Sequence, residues 1–146
     1  MSAVLDTSEL ERELLRLGAL SDPPLDDLLE ALGADLESST RERLTVTKTD
    51  PSGAPWVPWS PAYAARRPNK GGILDLDGQL VDTIAWELNG QTVIVGSPMI
   101  YAMTHQAGDL SRGIPERSFL GISDEDQETI VATTDRWFAR LLGGVA

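Results

Sequence analysis

His105 is the only histidine in the 146-residue chain, and there is no cysteine. An imidazole acting as general base needs a nucleophile and an orienting carboxylate. The neighbouring Thr104 and Asp109 make no such motif, and no Gly-x-Ser-x-Gly occurs. Zinc wants several His, Cys or carboxylate ligands at set spacings, and one histidine does not supply them. The expected role of His105 is therefore a hydrogen bond in a core or at an interface. Asp75, Asp77 and Gly78 are similar to the start of a calcium loop. No terminal glutamate follows at the right spacing, so a turn with solvated acids is expected. Asp124, Glu125, Asp126 and Glu128 read as a solvated, dipole-matched helix start rather than a metal cluster. Gly90, Gly96 and Gly108 precede no Gly-Lys-Ser/Thr, so no phosphate cradle is expected. No catalytic residue, metal ligand or cofactor is expected.

The elements that must position these residues follow from composition and periodicity. Hydrophobic residues make up 41% of the chain, enough for a core in one domain of this length. The formal net charge is −11, which disfavours sequence-specific nucleic-acid binding because phosphate contact needs clustered Lys and Arg. An acidic surface facing a DNA channel would instead let DNA slide past. No apolar stretch is long enough to span a bilayer. The first ten residues carry Asp6 and Glu9 and no basic run before an apolar block, so a secretory signal is not expected. Cytoplasmic synthesis, followed by incorporation into something larger, is the expectation.

Residues 1–22 read as a helical arm. Ser8 and Glu11 fit a capping box, and Leu10, Leu14 and Leu17 recur at helical spacing up to Gly18. Residues 23–146 read as a single α+β domain. A long helix begins near Pro24, with a stripe of Leu25, Leu28, Leu29, Leu32 and Leu36, and runs to about Leu44. Residues 50–72 form an extended loop: its first part carries four prolines with Trp56 and Trp59, its second the basic residues Arg66, Arg67 and Lys70, expected to be exposed. Ile84, Trp86 and Leu88 alternate with less apolar residues, Asn89-Gly90 signals a hairpin, and Thr92 to Val95 returns. A short helix over Met99–Ala107 places Ile100, Met103 and Ala107 on one side. Ser118–Ile122 reads as extended, and a last helix starts after Ser123 and stops at Gly143-Gly144. The fold class is α+β: a small antiparallel sheet, the hairpin around Asn89-Gly90, packed against several helices.

Four ordered segments carry a resemblance to the phage virion morphogenesis, or tail completion, proteins of Mu-like tailed phages. They are Pro51-Ser52-Gly53 with Trp56 and Pro58-Trp59-Ser60-Pro61; Ile73-Leu74 with Gly78 and Leu80; Val95-Gly96-Ser97 with Tyr101-Ala102 and His105-Gln106-x-Gly108; and Ile114-Pro115-Glu116-Arg117-Ser118-Phe119-Leu120-Gly121. The chain departs from the family's pattern at Tyr63–Arg67 and at Glu116. The resemblance implies a non-enzymatic virion protein, assembled in the host cytoplasm. It implies a homo-oligomeric, sixfold ring matching a tail tube at the tail end or neck. Expected partners are further copies, the tail tube, a tail terminator or head–tail connector proteins, with DNA passing through the ring. No membrane partner is expected.

A closed ring needs heterologous contacts. Arg117 is a candidate, since its planar fork can grip an acid across an interface, with Phe119 and Leu120 anchoring beside it. Tyr101, His105 and Gln106 share one side of the short helix and are placed to hydrogen-bond the Arg117 loop. Trp56 and Trp59 either pin their loop to the domain or dock on a neighbour. The same set also fits internal packing within one subunit. Two other functions compete: a small acidic binding or inhibitor module, which predicts a continuous negative face, and a His105-dependent hydrolase, which predicts a pocket joining that imidazole to a nucleophile or metal.

Overall fold

The computed structural model describes residues 6–18, 20–67 and 71–143. Helix α1, Ser8–Gly18, buries none of its residues. The anticipated capping box is replaced by a neighbouring arrangement. Ser8 is already helical, its N–H donates to Asp6 Oδ1 at 3.0 Å, and Thr7 Oγ1 donates to Glu11 Oε1 at 3.1 Å. A carboxylate two residues upstream thus takes the Ser8 N–H that the Glu11 side chain was expected to accept, and the Glu11 N–H goes to Thr7 O at 2.9 Å. A turn closed by Leu20 N–H to Leu17 O and Ser21 N–H to Gly18 O separates α1 from α2, Leu25–Glu42.

Helix α2 is the spine of the fold. It continues into a π-helical turn, Arg43–Thr47, which Lys48 ends in the left-handed conformation at φ 53°. The hairpin pairs β1, Ala85–Asn89, with β2, Thr92–Gly96, in the register Trp86 opposite Val95 and Leu88 opposite Val93. Asn89 pairs with Thr92, so the corner is Gly90-Gln91, one residue later than the Asn-Gly signal suggested. Gly90, at φ 61°, is the first corner residue, which is where a type II′ turn requires glycine. The sheet meets α2 where Gly33 admits the Trp86 indole: a Cβ built on Gly33 would lie 2.6 Å from the ring.

The last helix, α6, Asp124–Leu141, runs antiparallel to α2. Arg43 reaches Asp126 at one end, and Thr133 donates to Asp35 further along. Its start has the full capping box, Ser123 Oγ accepting from Asp126 N–H and Asp126 Oδ2 from Ser123 N–H. Between hairpin and α6 lie α5, Ile100–Ala107, and a 3-10 turn at Leu110–Arg112. Two short helices precede the hairpin: α3, Pro61–Ala65, and α4, Gln79–Asp82. The first interrupts the segment expected to be an extended loop. Ser60 at the cap, its Oγ accepting from Tyr63 N–H, and Pro61 in the first turn are a helix start. The core draws on Leu44, Trp56, Leu80, Ile84, Ala102 and Phe119, six residues from six separate stretches between the end of α2 and the start of α6.

One expectation for α5 is reversed. Ile100 and Met103, read as its packed side, are 95% and 71% exposed, and Ala107 is exposed too. The packed side carries Ala102, with His105 and Gln106 half-buried. The cause is the segment it packs against. Residues 117–120 belong to no sheet, and their backbone needs hydrogen-bond partners, which a polar helix face supplies.

Candidate functional site

The segments that carry the chemistry-bearing side chains are clamped to one another. At the end of α5 the His105 carbonyl accepts the Arg117 N–H at 2.8 Å. Gln106 then takes over: its Oε1 accepts the N–H groups of Phe119 and Leu120, both at 3.0 Å, and its Nε2 donates to Leu120 O at 3.1 Å. A single amide thereby does for an extended segment what a neighbouring strand would do. Its donor and acceptor ends are both used, which fixes its orientation.

The extended segment in turn holds the Trp-Pro loop. Arg117 is buried, and its fork donates to the carbonyls of Val57, from Nε at 2.7 Å, and Pro58, from Nη2 at 3.1 Å. Proline-containing backbone lacks donors, so its carbonyls are left for a side chain to satisfy. Trp56 buries its ring beside Phe119 in the core and donates Nε1–H to Ser118 O at 2.8 Å. Upstream, Asp50 Oδ1 accepts from Ser52 N–H, Ser52 Oγ and Ala54 N–H, folding the entry to the loop into an Asx turn.

On the solvent side of this clamp lies an apolar groove of about 880 Å³. One wall is Val57, Trp59 and Tyr63; the others come from Leu74 and Leu76, from Tyr101 and His105 of α5, and from Leu110 and Ile114. The Trp59 and Tyr63 rings meet edge to face at 5.4 Å, and the Arg67 guanidinium stands 5.0 Å over Tyr63. Leu74 holds φ 59°, unusual for a side chain of its size, beside a backbone tied down by Lys48 Nζ donating to Ile73 O at 3.2 Å.

The electrostatics of the groove favour neutral groups. Burial and the nearby Arg117 charge keep the His105 imidazole below its ordinary pKa. Burial, then Asp77, pushes the Tyr101 hydroxyl up. Tyr101 and His105 stack edge to face at 6.1 Å. Among the described residues no carboxylate or nucleophilic hydroxyl hydrogen-bonds His105, and its Nδ1 is buried without a partner. Thr104 Oγ1 accepts instead from Arg112, which pairs with Asp109 at 2.6 Å. This arrangement can bind an apolar surface; it does not assemble a nucleophile and base.

The structure thus unites Trp56, Trp59, Tyr101, His105, Gln106, Arg117, Phe119 and Leu120 in one neighbourhood, but in two layers. Trp56, Arg117 and Phe119 are buried within the subunit, so the Arg117 fork grips the subunit's own carbonyls rather than an acid across an interface. Trp59, Tyr101 and His105 remain accessible in the groove. Arg66 is exposed and Arg67 is partly covered by its Tyr63 contact, while Lys70 lies outside the described residues.

Sequence reasoning missed Arg43. Its guanidinium, 5% exposed, donates to Phe119 O at 2.7 Å and pairs with Asp126 at 3.0 Å. Leu36, Thr40 and Arg43 lie on one face at helical spacing. An arginine on that stripe is the signal that a buried partner must exist. Asp126 is that partner, not a solvated helix-start acid. Burial pushes its carboxyl up, but the hydrogen bonds from Ser123 and Ser39 and the Arg43 charge outweigh this and hold it below its ordinary range.

The clamp joins residues that the sequence keeps in three separate segments, and comparison with known proteins covers all of them. The model of the phage virion morphogenesis family matches residues 5–139. The chain belongs to that family. The virion morphogenesis chain is also 27% identical over 140 residues to "Putative capsid assembly protein G" of Escherichia phage Mu, covering 89% of this chain and 88% of that protein. No solved structure matches it. Membership gives a structural or morphogenetic role in building a phage particle. The α+β fold described above is the scaffold on which this virion morphogenesis protein presents its groove.

Proposed function

We propose that this protein completes the phage tail or joins tail to head, acting as a homo-oligomeric ring, sixfold to match a tail tube, at the tail end or neck. It works by contact and not by catalysis. Its neighbours are further copies of itself, the tail tube, a tail terminator or head–tail connector proteins. The ring is assembled in the host cytoplasm, and DNA passes through it without sequence-specific contact.

One observation carries the reading. The family's motif residues lock three distant segments together and leave an open apolar groove on a −11 chain. An open apolar groove lined by accessible aromatic and aliphatic side chains is the kind of surface in which a partner's apolar segment seats. The groove is continued by Leu110, 96% exposed, and Val57, Tyr63 and Leu76 are also solvent-accessible. Among the described residues the buried His105 Nδ1 has no hydrogen-bond partner, whereas hydrolysis by a triad needs one there.

The test is imaging of phage particles that carry a labelled copy. Label at the head–tail junction or tail end is expected, together with unjoined heads and tails when the protein is missing. Intact infectious particles made without it would overturn the reading.

A further inference from the structure

Helix α1 and the groove sit at opposite ends of the subunit. The groove abuts the C-terminal end of α2: Leu74 and Leu80 of its lining pack in the same core as Leu44, and Lys48 O accepts the N–H of Trp56, which leads into the Val57 wall. Helix α1 is joined to the N-terminal end of α2. It lies beside the last turn of α6, where a Cβ built on Gly143 would fall 3.7 Å from Arg16 Nε. The 18 residues of α2 separate the two ends by about 27 Å at 1.5 Å per residue.

Both surfaces are apolar and open. Leu10, Leu14 and Leu17 are 57–59% exposed, at the spacing i, i+4, i+7 by which an amphipathic helix seats itself in a hydrophobic groove. The arm brings Asp6, Glu9, Glu11 and Glu13 against Arg12 and Arg16, Arg16 pairing with Glu13 at 2.8 Å, so that acids outnumber bases four to two. The groove's Tyr63 rim brings Arg66 and Arg67, which among the described residues have no carboxylate within ion-pair distance. Apolar pattern and charge are therefore complementary between one end of the molecule and the other.

We propose that the groove of one subunit receives α1 of a second copy, with Leu10, Leu14 and Leu17 as anchors and the arm's acids against Arg66 and Arg67. The inference rests on the ring reading above and names its contact. A subunit's own arm is held away by the turn Leu17–Ser21, whose hydrogen bonds would have to break before it could cross the length of α2. A neighbour's arm needs no such change. Because the arm and the groove are different patches, each copy offers one and accepts one, and the contact propagates head to tail until a ring closes.

The native chain has no cysteine, so single thiols report the contact cleanly. Leu14→Cys and Leu110→Cys variants, both at exposed positions, are mixed and treated with a short bis-maleimide. Cross-linked heterodimers are expected from the mixture and a ladder ending at the ring size from the double variant. Leu10→Glu/Leu17→Glu, placed in the Leu14→Cys/Leu110→Cys background and with an unchanged circular dichroism spectrum, is expected to lose both the ladder and the oligomer seen by light scattering. An oligomer that persists in that variant, without Leu14–Leu110 cross-links, overturns this contact and leaves the ring reading standing. A cross-link formed only within one chain makes the occupant the subunit's own arm and overturns the proposal. A chain that is monomeric in solution and gives no cross-link in phage particles overturns the ring reading and this inference with it.

Discussion

The amide of Gln106 accepts the backbone N–H of Phe119 at 3.0 Å, and so ties a helix to the most deeply buried aromatic ring in the subunit. The same side chain meets Leu120 at both its N–H and its carbonyl. Gln106→Ala leaves those groups part-buried and unpartnered. A loss of about 2–4 kcal/mol in denaturant-unfolding free energy is expected. Gln106→Glu keeps the acceptor but turns the donor into a second acceptor facing Leu120 O, and should also destabilise, more at neutral pH than in acid.

Arg117 and Val57 are joined through geometry as much as charge. Arg117→Lys preserves the charge but cannot reach two successive carbonyls with a planar fork. A stability loss of about 2 kcal/mol is expected, with increased hydrogen exchange at residues 57–60. Unchanged protection of that loop would show that the fork does not hold it.

Arg43 and Asp126 form a buried pair, and breaking it is expected to cost more than replacing it. Arg43→Met alone strands a buried carboxylate and should lower stability by about 3–5 kcal/mol. Arg43→Met with Asp126→Leu should recover part of that loss, the remainder reflecting the Phe119 carbonyl and Ser123 N–H left without their partners. Equal losses in the single and double variants would contradict this account of the pair.

Acid sensitivity should come in two stages. His105 is held below its ordinary pKa, so the unfolded chain takes up that proton first, and stability falls as pH drops below about 6.5 until the folded imidazole also protonates. Asp126 is held below its ordinary range, so its contribution is complete above about pH 4 and disappears as pH falls through the lower folded value. His105→Gln should flatten the first stage and Asp126→Asn the second, read from unfolding midpoints across the pH series.

Gly33 and Trp86 test the packing of the sheet on α2. Gly33→Ala places a methyl 2.6 Å from the indole and should destabilise by about 1–3 kcal/mol despite the better helix propensity of alanine.

Much of this was legible in the residues. The leucine stripe of α2, the alternation around Trp86 and the Ser123 cap each express one local rule, and each element formed where that rule placed it. What was not legible depends on contacts between remote segments. Ile100 and Met103 look like a packed face, but the neighbour of α5 is unpaired backbone, so Gln106 faces inward and the apolar residues face out. Asp126 looks like an ordinary helix-start acid until Arg43, 83 residues away, is brought beside it. The motif residues around Arg117 stood out by type, but sequence left open whether they bond within the chain or beyond it, and the carbonyls of Val57 and Pro58 supply the intramolecular partners.

The core gathers Leu44, Trp56, Leu80, Ile84, Ala102 and Phe119, positions spread across half the chain. A nascent chain that has emerged only as far as α5 can wind its helices and close its hairpin, yet has neither the phenyl ring that fills the centre nor the carbonyl that Arg43 grips. A chain truncated before residue 119 is therefore expected to lack the packed surface by which a partner could recognise it.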